Sequence, residues 1–352
     1  MSEDPRFPVD TLVGFATGVL SAQGVRQDHA EITARRLVEA DLRGRSGHGL
    51  IRLPLYSRRI QVGGYNLDPQ IEARNETSVS ALVDGDNGLG QVVMTTAAEL
   101  AMDKAAEHGI GWVATVRSNH AGAAGIYPAM ALERGLGAMY FAVANGNGMP
   151  PWGGREKLLG TNPMAIAIPA RTQPDFQLDI ATTVASHGTI KVAAQRGEEM
   201  PPGWVIDFDG NPITDPNRAE EGFLVPIGGY KGSGLNIMIG ILAGIMTGAA
   251  FGRDVVEFRH DHVTPTNTGQ SMICFRPDLF IDLDAFETRM DGVLEDFHMS
   301  ESMSDEPVRL PGDRAAELIA HNRRHGVPVP GALVGQLDAL ATEVGVDPLN
   351  RG

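Results

Sequence analysis

What most constrains this chain is the alternation that starts at residue 78. Residues 78–84 alternate apolar and polar like a strand and end on the turn formers Gly85, Asp86, Asn87 and Gly88. Residues 94–108 then carry an amphipathic helical pattern with Gly109 placed to close it. Strand-like residues 112–116, a helical stretch at 124–134 and a second strand-like run at 136–144 follow. Strands that alternate with helices predict an α/β fold. Residues 161–180 read as further strands, as do 269–275 and 280–282, while 201–216 and the acidic 296–307 read as loops. Ahead of this pattern, residues 9–62 read as helices, with Asp28 as a candidate cap and Glu31 three residues later. A chain of 352 residues exceeds one small core and points to two domains, or to one large domain with an insertion.

Composition narrows the function classes. A formal charge of −15 argues against nucleic acid, because phosphate binding needs concentrated Lys and Arg. It leaves room for an anionic ligand, since a local pocket can be positive on an acidic protein. The single cysteine, Cys274, excludes an intramolecular disulfide framework and fits a reducing cytoplasm. Residues 1–10 are polar and acidic, unlike a signal peptide. The longest apolar run, 235–251, is interrupted by Asn236 and several glycines, and reads as a buried helix rather than a membrane span.

Chemistry gathers in two blocks. In Ser46-Gly47-His48-Gly49-Leu50-Ile51-Arg52 an imidazole precedes a guanidinium by four residues. On a helix the two would share a face, one exchanging a proton while the other holds a carboxylate. In Arg117-Ser118-Asn119-His120 a second His follows a strand-like run and leads into small residues, which let backbone approach a ligand closely. No G-x-G-x-x-G, Walker loop, G-x-S-x-G or C-x-x-C occurs. His260-Asp261-His262 lacks a third region of ligands and reads as a solvated loop, so no metal is expected.

The segments 40–54, 117–125, 151–169, 178–183, 227–235 and 309–327 resemble the malate/L-lactate dehydrogenase family that lacks a Rossmann domain, in the family's order over nearly the whole chain. The resemblance implies a two-domain α/β fold. A non-Rossmann NAD(P)-binding domain would span 76–274, and a discontinuous helical substrate and dimerisation domain 1–75 with 275–352. It implies NAD or NADP as cofactor, a small carboxylate substrate, a homodimer and a cytoplasmic setting. It also implies hydride transfer between a 2-hydroxy acid and its 2-oxo acid, with reduction of a cyclic imino acid or a sugar-derived keto acid as the alternative. A homologue that binds cofactor without turnover is the third reading.

Residue by residue, the resemblance assigns cofactor contacts to Asn145, to Leu178, Asp179, Ile180, Ala181, Thr182 and Thr183, to Tyr230, Lys231 and Gly232, and to Gly312 and Asp313. It makes His48 the proton donor, Arg52 the carboxylate clamp, and His120 a substrate binder or alternate base. Thr161 and Asn162 are expected to line the same cleft. One departure stands out: Gly47 occupies the place before the first His where the family commonly has Ser.

Overall fold

The computed structural model describes residues 4–349. Its centre is a seven-stranded sheet in the order Glu72–Arg74, Ser80–Asp84, Ile110–Val116, Gln270–Phe275, Gly137–Ala142, Met164–Ile168, Phe176–Ile180. Ser80–Asp84 and Ile110–Val116 pair in parallel, and every other neighbouring pair is antiparallel. A doubly wound dinucleotide fold needs consecutive parallel strands and a Gly-rich first turn. The strand order therefore accounts for the missing fingerprint.

One face of the sheet is covered by the helices Gly90–His108 and Ile126–Leu132. Ala97, Ala98, Ala101 and Ala105 of the first are fully buried, and such small side chains let helix and sheet approach closely. That helix ends at Gly109, whose φ of 87° is the left-handed conformation expected of a glycine cap. On the other face Ile239 and Ala243 of the helix Tyr230–Ala243 pack on Phe141 and Val143. A three-stranded sheet of Val205–Ile206, Pro212–Ile213 and Phe223–Leu224 forms a separate small core with the helix His187–Arg196. The helices Val9–Ala22, Gln27–Leu42, Leu53–Gln61 and Gly331–Val344 share another core, into which Val327 and Val329 also pack. Arg6–Phe7 pairs with Val327–Pro328, tying the two ends of the described chain together.

Four local expectations change. The helix Gln27–Leu42 has no side-chain cap, because Asp28 lies inside its first turn and pairs with Arg26, while Glu31 pairs with Arg35. Residues 280–282 form no strand: Pro277 removes a ladder donor, and the helix Leu283–His298 starts immediately afterwards. That helix also takes the first residues of the stretch 296–307 read as a loop. Residues 235–251 are buried on one side alone, and the helix breaks at Gly244. Leu235, Met238, Ile241, Ile245 and Met246 are all more than a third exposed.

Candidate active site

Asn119 sets one wall of the cleft. Fully buried, its amide donates to Asn87 Oδ1 at 2.9 Å and Gly88 O at 2.9 Å, while its Oδ1 accepts from Thr266 Oγ1 at 2.9 Å. The turn, the strand end and the 266 segment are thereby held on one side chain. The helix Gly90–His108 then starts so close to this backbone that a Cβ on Gly90 would sit 2.3 Å from Asn119 O and 2.5 Å from His120 O. Glycine is required there, and His120 follows in a fixed position.

The other wall is built from two consecutive 3₁₀ turns, Ser46–His48 and Leu50–Arg52. With three residues per turn they do not provide the α-helical face expected for positions 48 and 52. Arg52 is brought back by its own hydrogen bond, Nε to Gly47 O at 2.7 Å. Asp41 braces the loop from below by accepting the Leu50 N–H at 2.8 Å, and burial raises its carboxyl to about 7.

The two walls bring His48 and His120 together, ring centres 5.5 Å apart and 12° from parallel. Burial, then the charges of Arg52 and Arg45, push His48 down to about 3. Burial also holds His120 well below its ordinary value, with Arg52 and His48 adding to the effect. Both rings are therefore neutral at pH 7. Behind His120 runs a chain of hydrogen bonds. Tyr56 Oη meets His120 Nδ1 at 2.6 Å, and Gln91 Nε2 donates to Tyr56 Oη at 2.7 Å. The phenol thus bridges the His120 ring and Gln91, whose Oε1 is buried with no partner among the described residues. His48 Nδ1, by contrast, is buried with no partner among the described residues.

Phe258 covers His120, its ring 5.4 Å away and 22° from parallel. Beneath it lies Arg59, fully buried, with its guanidinium 4.8 Å from the Phe258 ring centre. Arg59 Nη1 donates to Asp261 O at 2.5 Å and Nη2 to Thr264 O at 3.0 Å, so backbone carbonyls hold this charge.

The cleft between the walls has a volume of about 660 Å³, in the range of small-molecule and cofactor sites. Of the residues singled out in the sequence, His48, Arg52, His120, Asn145, Thr161, Asp179 and Ala181 line it. Asn162 does not. It is fully buried, donating to Asn236 Oδ1 at 2.8 Å and accepting the Ala144 N–H at 3.0 Å, a tie between strand and helix. Thr182 and Thr183 are also buried, and Thr182 Oγ1 donates to Thr161 O at 2.9 Å. Leu178 and Ile180 are outside the lining, as are Tyr230, Lys231 and Gly232 at the start of their helix, although Ile227 N bonds Thr182 O just before it. Gly312 and Asp313 sit beside the cleft, which their neighbour Arg314 lines. Sequence reasoning missed Tyr56, Gln91, His187 and Arg259. Tyr56 alone carried a signal, four residues beyond Arg52 in the same block.

A dinucleotide fits the donors present. Arg314 offers a cationic fork for phosphate, Arg45 keeps Nη1 beyond its contacts to Asp179 O at 3.0 Å and Asp179 Oδ2 at 3.5 Å, and Ser186, Thr189 and Asn145 offer hydroxyl and amide groups for ribose or amide.

Fold and cleft together define a class: an α/β protein of non-Rossmann topology whose cleft sets two neutral imidazoles beside an Arg with no carboxylate partner among the described residues. The chain belongs to the malate/L-lactate dehydrogenase family, whose description as malate/L-lactate dehydrogenase applies to residues 7–338. It is 37% identical to a malate dehydrogenase of Pyrococcus abyssi, over 97% of this chain and 95% of that one. It is 36% identical to an L-sulfolactate dehydrogenase of Methanocaldococcus jannaschii, over 94% of each. The solved malate dehydrogenase of Pyrococcus horikoshii OT3 superposes with a TM-score of 0.89 at 32% identity, covering 98% of this chain and 97% of that one. No helix among the described residues is long and apolar enough to cross a membrane.

Proposed function

We propose that the protein is a dehydrogenase acting on CH–OH groups, which interconverts a 2-hydroxy acid and its 2-oxo acid with NAD or NADP. The observation that carries this reading is the pair of stacked imidazoles beside Arg52, whose terminal nitrogens have no partner among the described residues. When bound, the nicotinamide supplies or accepts the hydride. Arg52 presents a planar fork to the substrate carboxylate, a geometry a point charge cannot match. His120, held through Nδ1 by Tyr56, presents Nε2 to the oxygen on the reacting carbon. His48 exchanges the proton through Nε2, since its Nδ1 is shut off. A bound carboxylate would raise the proton affinity of His48 from its depressed value, because opposite charge favours the imidazolium.

Cofactor contacts are assigned to Asn145, Asp179 and Ala181 on the cleft wall, with Arg45 and Arg314 for phosphate. Lys231 and the remaining residues of 178–183 and 312–313 stay assigned by family likeness. The apolar stripe Leu235, Met238, Ile241, Ile245 and Met246 supports a homodimer.

The deciding experiment assays 2-oxo acids, a cyclic imino acid and a sugar-derived keto acid with NADH and NADPH. Turnover is expected with 2-oxo acids. Turnover confined to the imine would move the substrate class, and cofactor binding without any turnover would defeat the assignment.

A further inference from the structure

The cleft holds a second guanidinium that the reaction above does not use. Arg259 lines it together with Arg52 and His187. The segment that carries Arg259 is anchored: Phe258 N–H donates to Asn145 O at 3.0 Å, the Phe258 ring lies on His120, and Arg59 lies against the same ring. Residue 259 is therefore held one peptide unit from the ring that covers the site of reaction.

Arg259 is bound to Glu257 through Nε at 2.8 Å and Nη2 at 3.1 Å. That contact occupies the side fork of the guanidinium. Nη1 has no partner among the described residues, and a guanidinium with five N–H donors keeps an end-on fork after one bidentate contact. Arg52 is in the same condition, its Nε spent on Gly47 O and its far end unpaired. The Arg259 charge lowers the proton affinity of both Arg52 and His187, so it reaches both. His187 adds a buried Nε2 with no partner among the described residues. A Cβ on Gly47 would meet nothing within 4 Å, so space is left on the Arg52 side.

Resting on the proposed reaction, we propose that Arg259 is a specificity-determining residue that holds a second acidic group of the substrate, while Arg52 holds the carboxylate next to the reacting carbon. A monoanion fills one fork and leaves the open end of the Arg259 guanidinium, partly exposed beside Glu257, to solvent. A dianion answers both. Glu257 already offsets most of the Arg259 charge, so discrimination comes from the fork's hydrogen bonds rather than from net field.

The test measures kcat/KM for oxaloacetate, 3-sulfopyruvate and pyruvate, with NADH and NADPH, in the parent, Arg259→Gln and Arg259→Lys. The parent is expected to prefer oxaloacetate over pyruvate. In Arg259→Gln that ratio should fall at least about tenfold, mainly through KM, as expected for hydrogen bonds to a charged group. Arg259→Lys should fall in between. If 3-sulfopyruvate follows oxaloacetate, the fork reads acidity in general; if it follows pyruvate, the fork reads a carboxylate, and both outcomes support the proposal. A parent without preference, or equal losses on oxaloacetate and pyruvate in Arg259→Gln, overturns it while leaving the reaction intact. Failure of the parent to reduce any 2-oxo acid overturns the reaction as well.

Discussion

His48 and His120 are the same side chain in the same cleft, stacked 5.5 Å apart and both held neutral, yet what lies behind them differs. His120 is backed by Tyr56 and Gln91, which hold its ring through Nδ1. His48 Nδ1 is buried without a hydrogen-bond partner among the described residues. A ring held by a partner is suited to orient a ligand. A ring without one can change its protonation when a ligand changes the local charge. The division of labour thus lies in the partners rather than in the imidazoles.

The comparison breaks most visibly in rate. His48→Ala should lower kcat by at least about a hundredfold with cofactor affinity retained, the usual loss on removing a general acid. His120→Ala should show most of its defect in KM. Steady-state kinetics with cofactor titration decide this, and the reverse pattern gives the proton to His120. Next in size, Arg52→Lys should raise KM for a carboxylate substrate about tenfold or more, since the fork is lost and the charge kept. Parent-like KM values in that variant would make Arg52 structural.

Tyr56→Phe sharpens the comparison on the other side. Losing one hydrogen bond should cost about three- to tenfold in kcat/KM. Because the ring loses the partner of its Nδ1, the acidic limb of the pH profile should also move. A profile that does not move would mean Tyr56 acts through packing alone.

The smallest effect is on stability. His48, at about 3, and His187, at about 4, lie below an ordinary 6.5. Groups with depressed values contribute stability that is present above 6.5 and lost as pH falls towards those values. Asp41 opposes them: raised to about 7 from an ordinary 3.8, its contribution is complete at low pH and lost as pH rises through 7. With His29 and His120 depressed as well and Asp179 raised like Asp41, four histidines stand against two carboxyls, so Tm should drop between pH 6.5 and pH 4, and drop less in His48→Gln. An equal drop in parent and variant would remove His48 from the explanation.

Much of this was legible in the sequence, unevenly. Small residues around a His are a local signal, and the blocks at 46–52 and 117–125 became the two cleft walls. The sheet order was not legible, because Gln270–Phe275 enters between Ile110–Val116 and Gly137–Ala142 through pairing that no local pattern encodes. Arg259 sat beside His260-Asp261-His262, whose metal-like spacing drew attention away from it. Phe280 looked strand-forming by residue type, yet it is 94% exposed beside a proline that ends the sheet.

Arg59 has a consequence for traffic through the cleft. It grows from the same short helix, Leu53–Gln61, as Tyr56, and it grips the carbonyls of Asp261 and Thr264 beneath Phe258. Floor and roof around His120 are therefore cross-braced by a buried cation for which solvent exposure is the alternative, and parting them would leave several carbonyls unanswered. The rim differs at Gly47 and Gly188, where a Cβ added to Gly188 would come within 4.0 Å of the Gly47 Cα. Neither residue puts a side chain of its own across that gap, and Ser186 Oγ would be the nearest atom to a Cβ at Gly188, at 3.5 Å. A side chain at Gly188 would project towards Gly47, so the braced side of the cleft carries its rigidity and this lip its clearance.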